Sequence, residues 1–160
     1  MAFHDDLLEQ AVGLARKERK HPRQASLRRA VSTSYYALFH LLISEACSNW
    51  NRVALRAALG RGFDHNVMKA ASNRLENTTR YPFKNEDPKV VADLRRVAKS
   101  FAELQEKRHT ADYDNTTTWS RTDALDQVES AKEAFAIWKR IRNQDVAQQY
   151  LVSLLVKKRD

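Results

Sequence analysis

Cysteine occurs once in 160 residues, as Cys47, so no disulfide can close within the chain and a reducing compartment suits it. Its small apolar side chain is expected in the core. Three glycines and three prolines are too few for the many tight turns of an all-β fold. The only glycine cluster, Gly60-Arg61-Gly62, reads as a helix stop rather than a loop whose backbone amides cradle phosphate. The longest strongly apolar stretch, Leu38 to Ile43, is interrupted by His40 and falls far below the roughly 20 residues that cross a bilayer. Asp5, Asp6 and Glu9 stand where a secretory signal would be basic and then apolar, so a cytoplasmic protein with no membrane partner is expected. His4, His21, His40, His65 and His109 are scattered and lack nearby cysteines, so neither a metal site nor a cofactor is expected.

Acid is also in short supply. Twenty Asp and Glu against twenty-eight Lys and Arg give a net charge of +8, which favours a polyanionic or acidic partner. Most of the excess lies between Arg16 and Arg29, where Arg16, Lys17, Arg19, Lys20, Arg23, Arg28 and Arg29 face the single acid Glu18. That stretch is either a phosphate-contacting patch or a solvated helix end whose cations complement the helix dipole. Lys157, Lys158 and Arg159 read as a solvated tail.

What is abundant is helical periodicity. Leu7, Leu8, Ala11, Val12, Leu14 and Ala15 predict a first helix from Phe3 to Lys20, ended by His21-Pro22. A second runs from Gln24 to near Trp50 with Val31, Ser34, Tyr35, Leu38, Leu41, Leu42 and Glu45 on one stripe, and is the expected central helix. Asn51 to Leu59 predicts a short helix. Asp64 is placed to cap another that carries Val67, Met68, Ala71 and Leu75. Asn77 to Asp87 reads as a polar loop, and Asp87-Pro88 as a helix start. Beyond a Thr-rich break at Asn115 to Trp119, Ser120 or Thr122 caps a helix with Leu125, Val128, Ala131, Ala134, Phe135, Trp138 and Ile141. A last helix covers Gln144 to Lys157. The expected fold is all-α: an up-down bundle of five to seven helices in one domain over residues 1–160, with 142–160 forming the terminal helix and basic tail.

Two segments carry chemistry. From Pro88 the stripe Val91, Leu94, Val97, Ala98, Phe101, Leu104 extrapolates to Arg108 and then Asp112, so charged residues continue an inward face. A guanidinium there requires a carboxylate, which Asp112 supplies at i+4, or an anion-binding cleft. His109 lies roughly 100° farther around the helix. On the second helix, Arg29, Ser32 or Thr33, Tyr36 and His40 recur by threes and fours on a face turned from the core stripe, which suits a subunit interface or base stacking.

Arg28-Arg29-Ala30-Val31-Ser32-Thr33-Ser34-Tyr35-Tyr36-Ala37-Leu38-Phe39-His40 resembles the second-helix signature of HEPN (higher eukaryotes and prokaryotes nucleotide-binding) domains. Arg108 to Asp114 resembles their Arg-x-x-Ala-Asp-Tyr-Asp segment, and the order and separation of the two also fit. The resemblance spans about Phe3 to Ile141. It implies an all-α bundle, commonly a homodimer, in a family of metal-independent endoribonucleases, toxins of toxin–antitoxin and defence systems, and non-catalytic RNA or nucleotide binders. Many are encoded beside a minimal nucleotidyltransferase partner. The nuclease members carry Arg, four to six residues, then His, so that Arg holds the scissile phosphate while His moves a proton. Here Tyr113 follows Arg108 after four residues and no histidine follows it. Tyrosine titrates near pH 10, poorly matched to proton transfer at neutral pH.

The resemblance therefore implies binding of RNA or a nucleotide without efficient cleavage: Arg108 on phosphate, Asp112 orienting it, Tyr113 stacking or hydrogen-bonding, and the Arg16 to Arg29 cations adding contacts. The alternatives are an endoribonuclease that uses Arg108 with His109 or Tyr113, and an interaction module for a nucleotidyltransferase.

Overall fold

The computed structural model describes residues 1–77 and 85–158. The middle of the expected polar loop and Arg159 of the tail lie outside the described residues. Among those described there is no strand. The chain forms α1 (Phe3–Ala15), α2 (Gln24–Ser48), a 3-10 turn (Val53–Leu55), α3 (Arg56–Gly60), α4 (His65–Asn77), α5 (Pro88–Tyr113), α6 (Arg121–Ile141) and α7 (Asp145–Leu155). None of these helices is long and apolar enough to cross a membrane.

Side-chain caps set the starts of three helices, α4, α5 and α6. The Asp64 carboxylate accepts hydrogen bonds from the amides of Asn66 and Val67 (2.8 and 3.0 Å) and opens α4. Asp87 does the same for the amide of Lys89 (2.9 Å), with Pro88 as the first residue of α5, where a missing N–H costs nothing. Of the two candidates before α6, Ser120 is the cap. Its Oγ accepts from the Asp123 amide (3.0 Å) while Asp123 accepts from the Ser120 amide (3.2 Å), a reciprocal capping box.

Three boundaries differ from the sequence expectation: the short helix expected over Asn51 to Leu59 is a 3-10 turn at Val53–Leu55 followed by α3 from Arg56, α7 ends at Leu155 rather than Lys157, and α1 ends early. α1 stops at Ala15, five residues before Lys20. The segment that follows has strong helix formers but no apolar side chain to bury, and Arg121 of α6 takes its carbonyls instead. Arg121 Nε donates to the Ala15 oxygen (3.1 Å), and its two terminal nitrogens donate to the oxygens of Arg19 and Glu18. The chain turns through left-handed backbone at His21 (φ 53°) before Pro22.

The described residues divide into two compact units, one of Met1–Leu41 with Glu103–Phe135, the other of Leu42–Ala102 with Ala136–Asp160. In the first, Ala11 and Ala15 of α1, Leu27, Ala30 and Val31 of α2, Ala111 of α5 and Trp119, Ala124 and Val128 form a buried cluster. Alanine at so many facing positions lets helix axes approach closely, at the price of little buried area per residue. Gln24 pins the approach to α6, donating to the Trp119 carbonyl (2.7 Å) and accepting from its amide (2.9 Å).

In the second unit α4 packs on α7. Met68, Ala71 and Leu75 meet a core containing Trp138, Leu151, Leu154 and Tyr150, whose hydroxyl is satisfied by Ser72 Oγ (2.7 Å). Cys47 is free and buried, and desolvation raises its thiol pKa. Glu45, expected on the apolar stripe of α2, is half-buried and paired with Arg142 (2.9 Å).

Candidate functional site

The site lies in the first unit, where α2 meets the last two turns of α5. Arg108 has a side chain only 12% exposed, in keeping with its place on the stripe of α5. Its guanidinium carbon lies 5.3 Å from the centre of the Tyr35 ring and 5.8 Å from that of Tyr36, which provide cation–π contacts. Its Nη1 stands 3.8 Å from Asp112 Oδ2, an ion pair longer than a hydrogen bond. The buried Nε–H has no acceptor. A charge taken this far from water normally has its donors satisfied, so this guanidinium is only partly neutralised. The same Asp112 oxygen accepts from Ser32 Oγ (3.3 Å), which ties the pair to α2.

In front of the pair is an open groove of about 480 Å³. Ala25, Arg28, Arg29, Ser32 and Tyr36 line it from α2, and Ala111, Asp112 and Tyr113 from α5. Arg29 is exposed and Tyr113 is 67% exposed. Arg108 does not line the groove; its neighbours Ser32, Tyr36 and Asp112 do. The groove offers two guanidinium groups, of which Arg28 is held by backbone carbonyls, two aromatic side chains and a hydroxyl, with one carboxylate that sets where an anion cannot sit.

Arg28, expected on phosphate, is engaged by the chain itself. Its Nη1 donates to the carbonyls of Ala111 (2.9 Å) and Asp114 (2.8 Å), and its Nη2 to that of Thr117 (2.5 Å). These carbonyls belong to the end of α5 and the turn beyond it, so Arg28 caps the helix that carries Asp112 and Tyr113. The turn is closed a second time by Asp114, which accepts from the Thr116 amide (2.8 Å) and from the hydroxyls of Thr116 (2.6 Å) and Thr117 (2.9 Å). Those three donors hold its carboxyl down at about 2. Asp-Asn-Thr-Thr is a sequence signal for such a turn.

The remaining cations form a separate display. Arg16, Lys17, Arg19, Lys20 and Arg23 are all exposed on the loop between α1 and α2. Glu18, the only acid among them, is turned inward: Ser26 Oγ donates to it at 2.7 Å and the Arg23 amide at 3.4 Å. The Ser26 hydrogen bond, followed by the smaller contributions of the Arg23 amide and Lys17, lowers its pKa against a desolvation penalty.

His109 is exposed, and its ring centre lies 5.0 Å from that of Tyr113. It does not line the groove. Thr33, Tyr36 and His40 are half-buried, and His40 meets the rings of Phe3 (4.9 Å) and Phe39 (5.2 Å). Among the described residues no group of three His, Cys, Asp or Glu side chains gathers as metal ligands would. Comparison with protein-family models, curated proteins and solved structures finds no match to this chain.

Proposed function

We propose that this chain is a HEPN-like binder of RNA or a nucleotide that does not cleave efficiently, and that the groove between α2 and the end of α5 receives the ligand. The observation that carries the reading is the meeting of exposed Arg29 with the Tyr36 and Tyr113 rings at one open groove, with the partly neutralised Arg108 directly behind the lining residues Ser32, Tyr36 and Asp112. Arg29 makes the outer phosphate contact. Arg108, whose Nε–H lacks an acceptor, supplies the second positive charge, and Asp112 with Ser32 fixes its orientation. Tyr113 stacks on a base, an interaction that tolerates any base because each has a π face. The loop cations Arg16, Lys17, Arg19, Lys20 and Arg23 extend the positive surface along a longer strand. Arg28 serves the reading as the residue that holds the end of α5 in place.

The proton chemistry of a nuclease finds weaker support. α5 continues unbroken through Tyr113, so His109 stays on its own face of the helix, outside the groove. The homodimer and the nucleotidyltransferase partner remain part of the proposal only through the family resemblance.

Fluorescence polarisation with a labelled single-stranded RNA, in EDTA and over a salt series, tests the reading. Binding should weaken steeply with salt, because each phosphate contact releases a counterion. Tyr113→Ala and Arg29→Ala should each weaken it about tenfold, with the RNA left intact. Binding indifferent to both substitutions overturns the assignment. Cleavage in EDTA that disappears in both Arg108→Ala and His109→Ala replaces it with the endoribonuclease.

A further inference from the structure

The second unit carries another groove, of about 570 Å³, that the proposed function does not use. Asn66, Val67, Ala70 and Arg74 line it from α4, and Lys157 and Lys158 from the segment after α7. The α4 residues fall at helical spacing on one face, and from Asn66 to Arg74 that face runs about 12 Å. Val67 and Ala70 make an apolar floor. Arg74, Lys157 and Lys158 form no ion pair or hydrogen bond among the described residues, although charged side chains elsewhere in this unit are paired, as Arg142 is with Glu45 and Arg140 with Asp93. Three unpaired cations around one groove repel one another, and an anionic occupant would relieve that repulsion.

The acid at the groove does not relieve it. Asp64 faces the start of α4, with Oδ1 bound to the amides of Asn66 and Val67. The lining therefore keeps a surplus of two positive charges: Arg74, Lys157 and Lys158 against Asp64. Because Asp64 already occupies those amides, the helix start is not free to cradle a phosphate. Nor does any aromatic side chain line the groove, so a nucleic-acid base has nothing to stack on. What the surface does match is a short polypeptide with carboxylates at its ends and a small apolar residue between them to sit on Val67 and Ala70. The Asn66 side-chain amide is placed to hydrogen-bond its backbone.

We infer that this groove is a docking site for an acidic peptide segment of a partner protein, with Arg74, Lys157 and Lys158 as its recognition residues. The test is selection of a displayed library of random twelve-residue peptides on the full-length protein. Peptides rich in Asp and Glu that also carry an aliphatic residue should be enriched. The Lys157→Glu/Lys158→Glu double variant, altered only at the exposed chain end, should bind them about tenfold more weakly, as should Arg74→Gln. RNA binding by the lysine variant should be unchanged, so the peptide site and the RNA reading fail separately. Enrichment without acidic character overturns the inference. So does peptide affinity equal in the lysine double variant and the unaltered protein, or loss of RNA rather than peptide binding in that variant.

Discussion

Replacing Arg28 separates a clasp from a ligand contact. Its guanidinium bridges the carbonyls of Ala111, Asp114 and Thr117 at 2.5 to 2.9 Å, in a part-buried setting. A hydrogen bond from a charged donor contributes about 1.5–3 kcal/mol when buried. Here the freed carbonyls of the turn regain water, so about 1 kcal/mol each, or about 3 kcal/mol in all, is the expected cost of Arg28→Ala. For a chain of this size that lowers the melting temperature by roughly 6–12 °C. Arg28→Lys is the informative companion. A lysine keeps the charge but not the planar fork that reaches three oxygens, so it should recover about a third of the lost stability. Thermal unfolding followed by circular dichroism reads both variants, and RNA polarisation below the melting transition reads the groove. If Arg28→Ala melts within about 2 °C of the unaltered protein, or if Arg28→Lys restores full stability, the clasp is not what holds the end of α5. If instead stability is unmoved and lysine restores RNA affinity lost in the alanine variant, Arg28 belongs on phosphate, as its sequence context suggests.

Three further expectations follow from the local chemistry. Because the folded Asp114 carboxyl is held at about 2, below its ordinary 3.8, the stability it contributes is complete above about pH 4 and disappears as pH falls through 2; Asp114→Asn should show a flatter loss of melting temperature between pH 5 and pH 2 than the unaltered protein. Ser120→Ala should cost about 1 kcal/mol, seen as a melting temperature roughly 2–4 °C lower, while Thr122→Ala should cost nothing measurable because Thr122 makes no cap. Burial raises the Cys47 thiol pKa, so a thiol reagent at pH 8 should modify it slowly in the native protein and promptly in guanidinium; equal rates would show that the side chain is not enclosed.

Local signals carried most of the fold into the sequence. The α2 boundaries, the Asp64 and Asp87 caps and the stripe of α5 through Leu104 are encoded by residues within a few positions of one another, and they were readable for that reason. The end of α1 was not. Lys17 to Lys20 favour helix by propensity, and what stops it is Arg121, about a hundred residues farther along, which withdraws three backbone carbonyls. The same limit applies at the site. The i, i+4 pairing of Arg108 with Asp112 follows from spacing, but the tyrosines that cover the guanidinium and the three carbonyls that occupy Arg28 belong to distant stretches of chain. A side chain bound to backbone oxygens leaves no trace in the identity of its partners. Arg28 and Arg29 look alike as letters, and only the fold makes one a fastener and leaves the other facing water.

The inward turn of Glu18 has its own consequence. With that carboxylate bound to Ser26 and its pKa lowered, the loop's five exposed cations have no other acid within the loop to offset them. The five side chains form one positive patch. Ionic strength is what tunes it, since added salt shortens the reach of every charge on the loop at once.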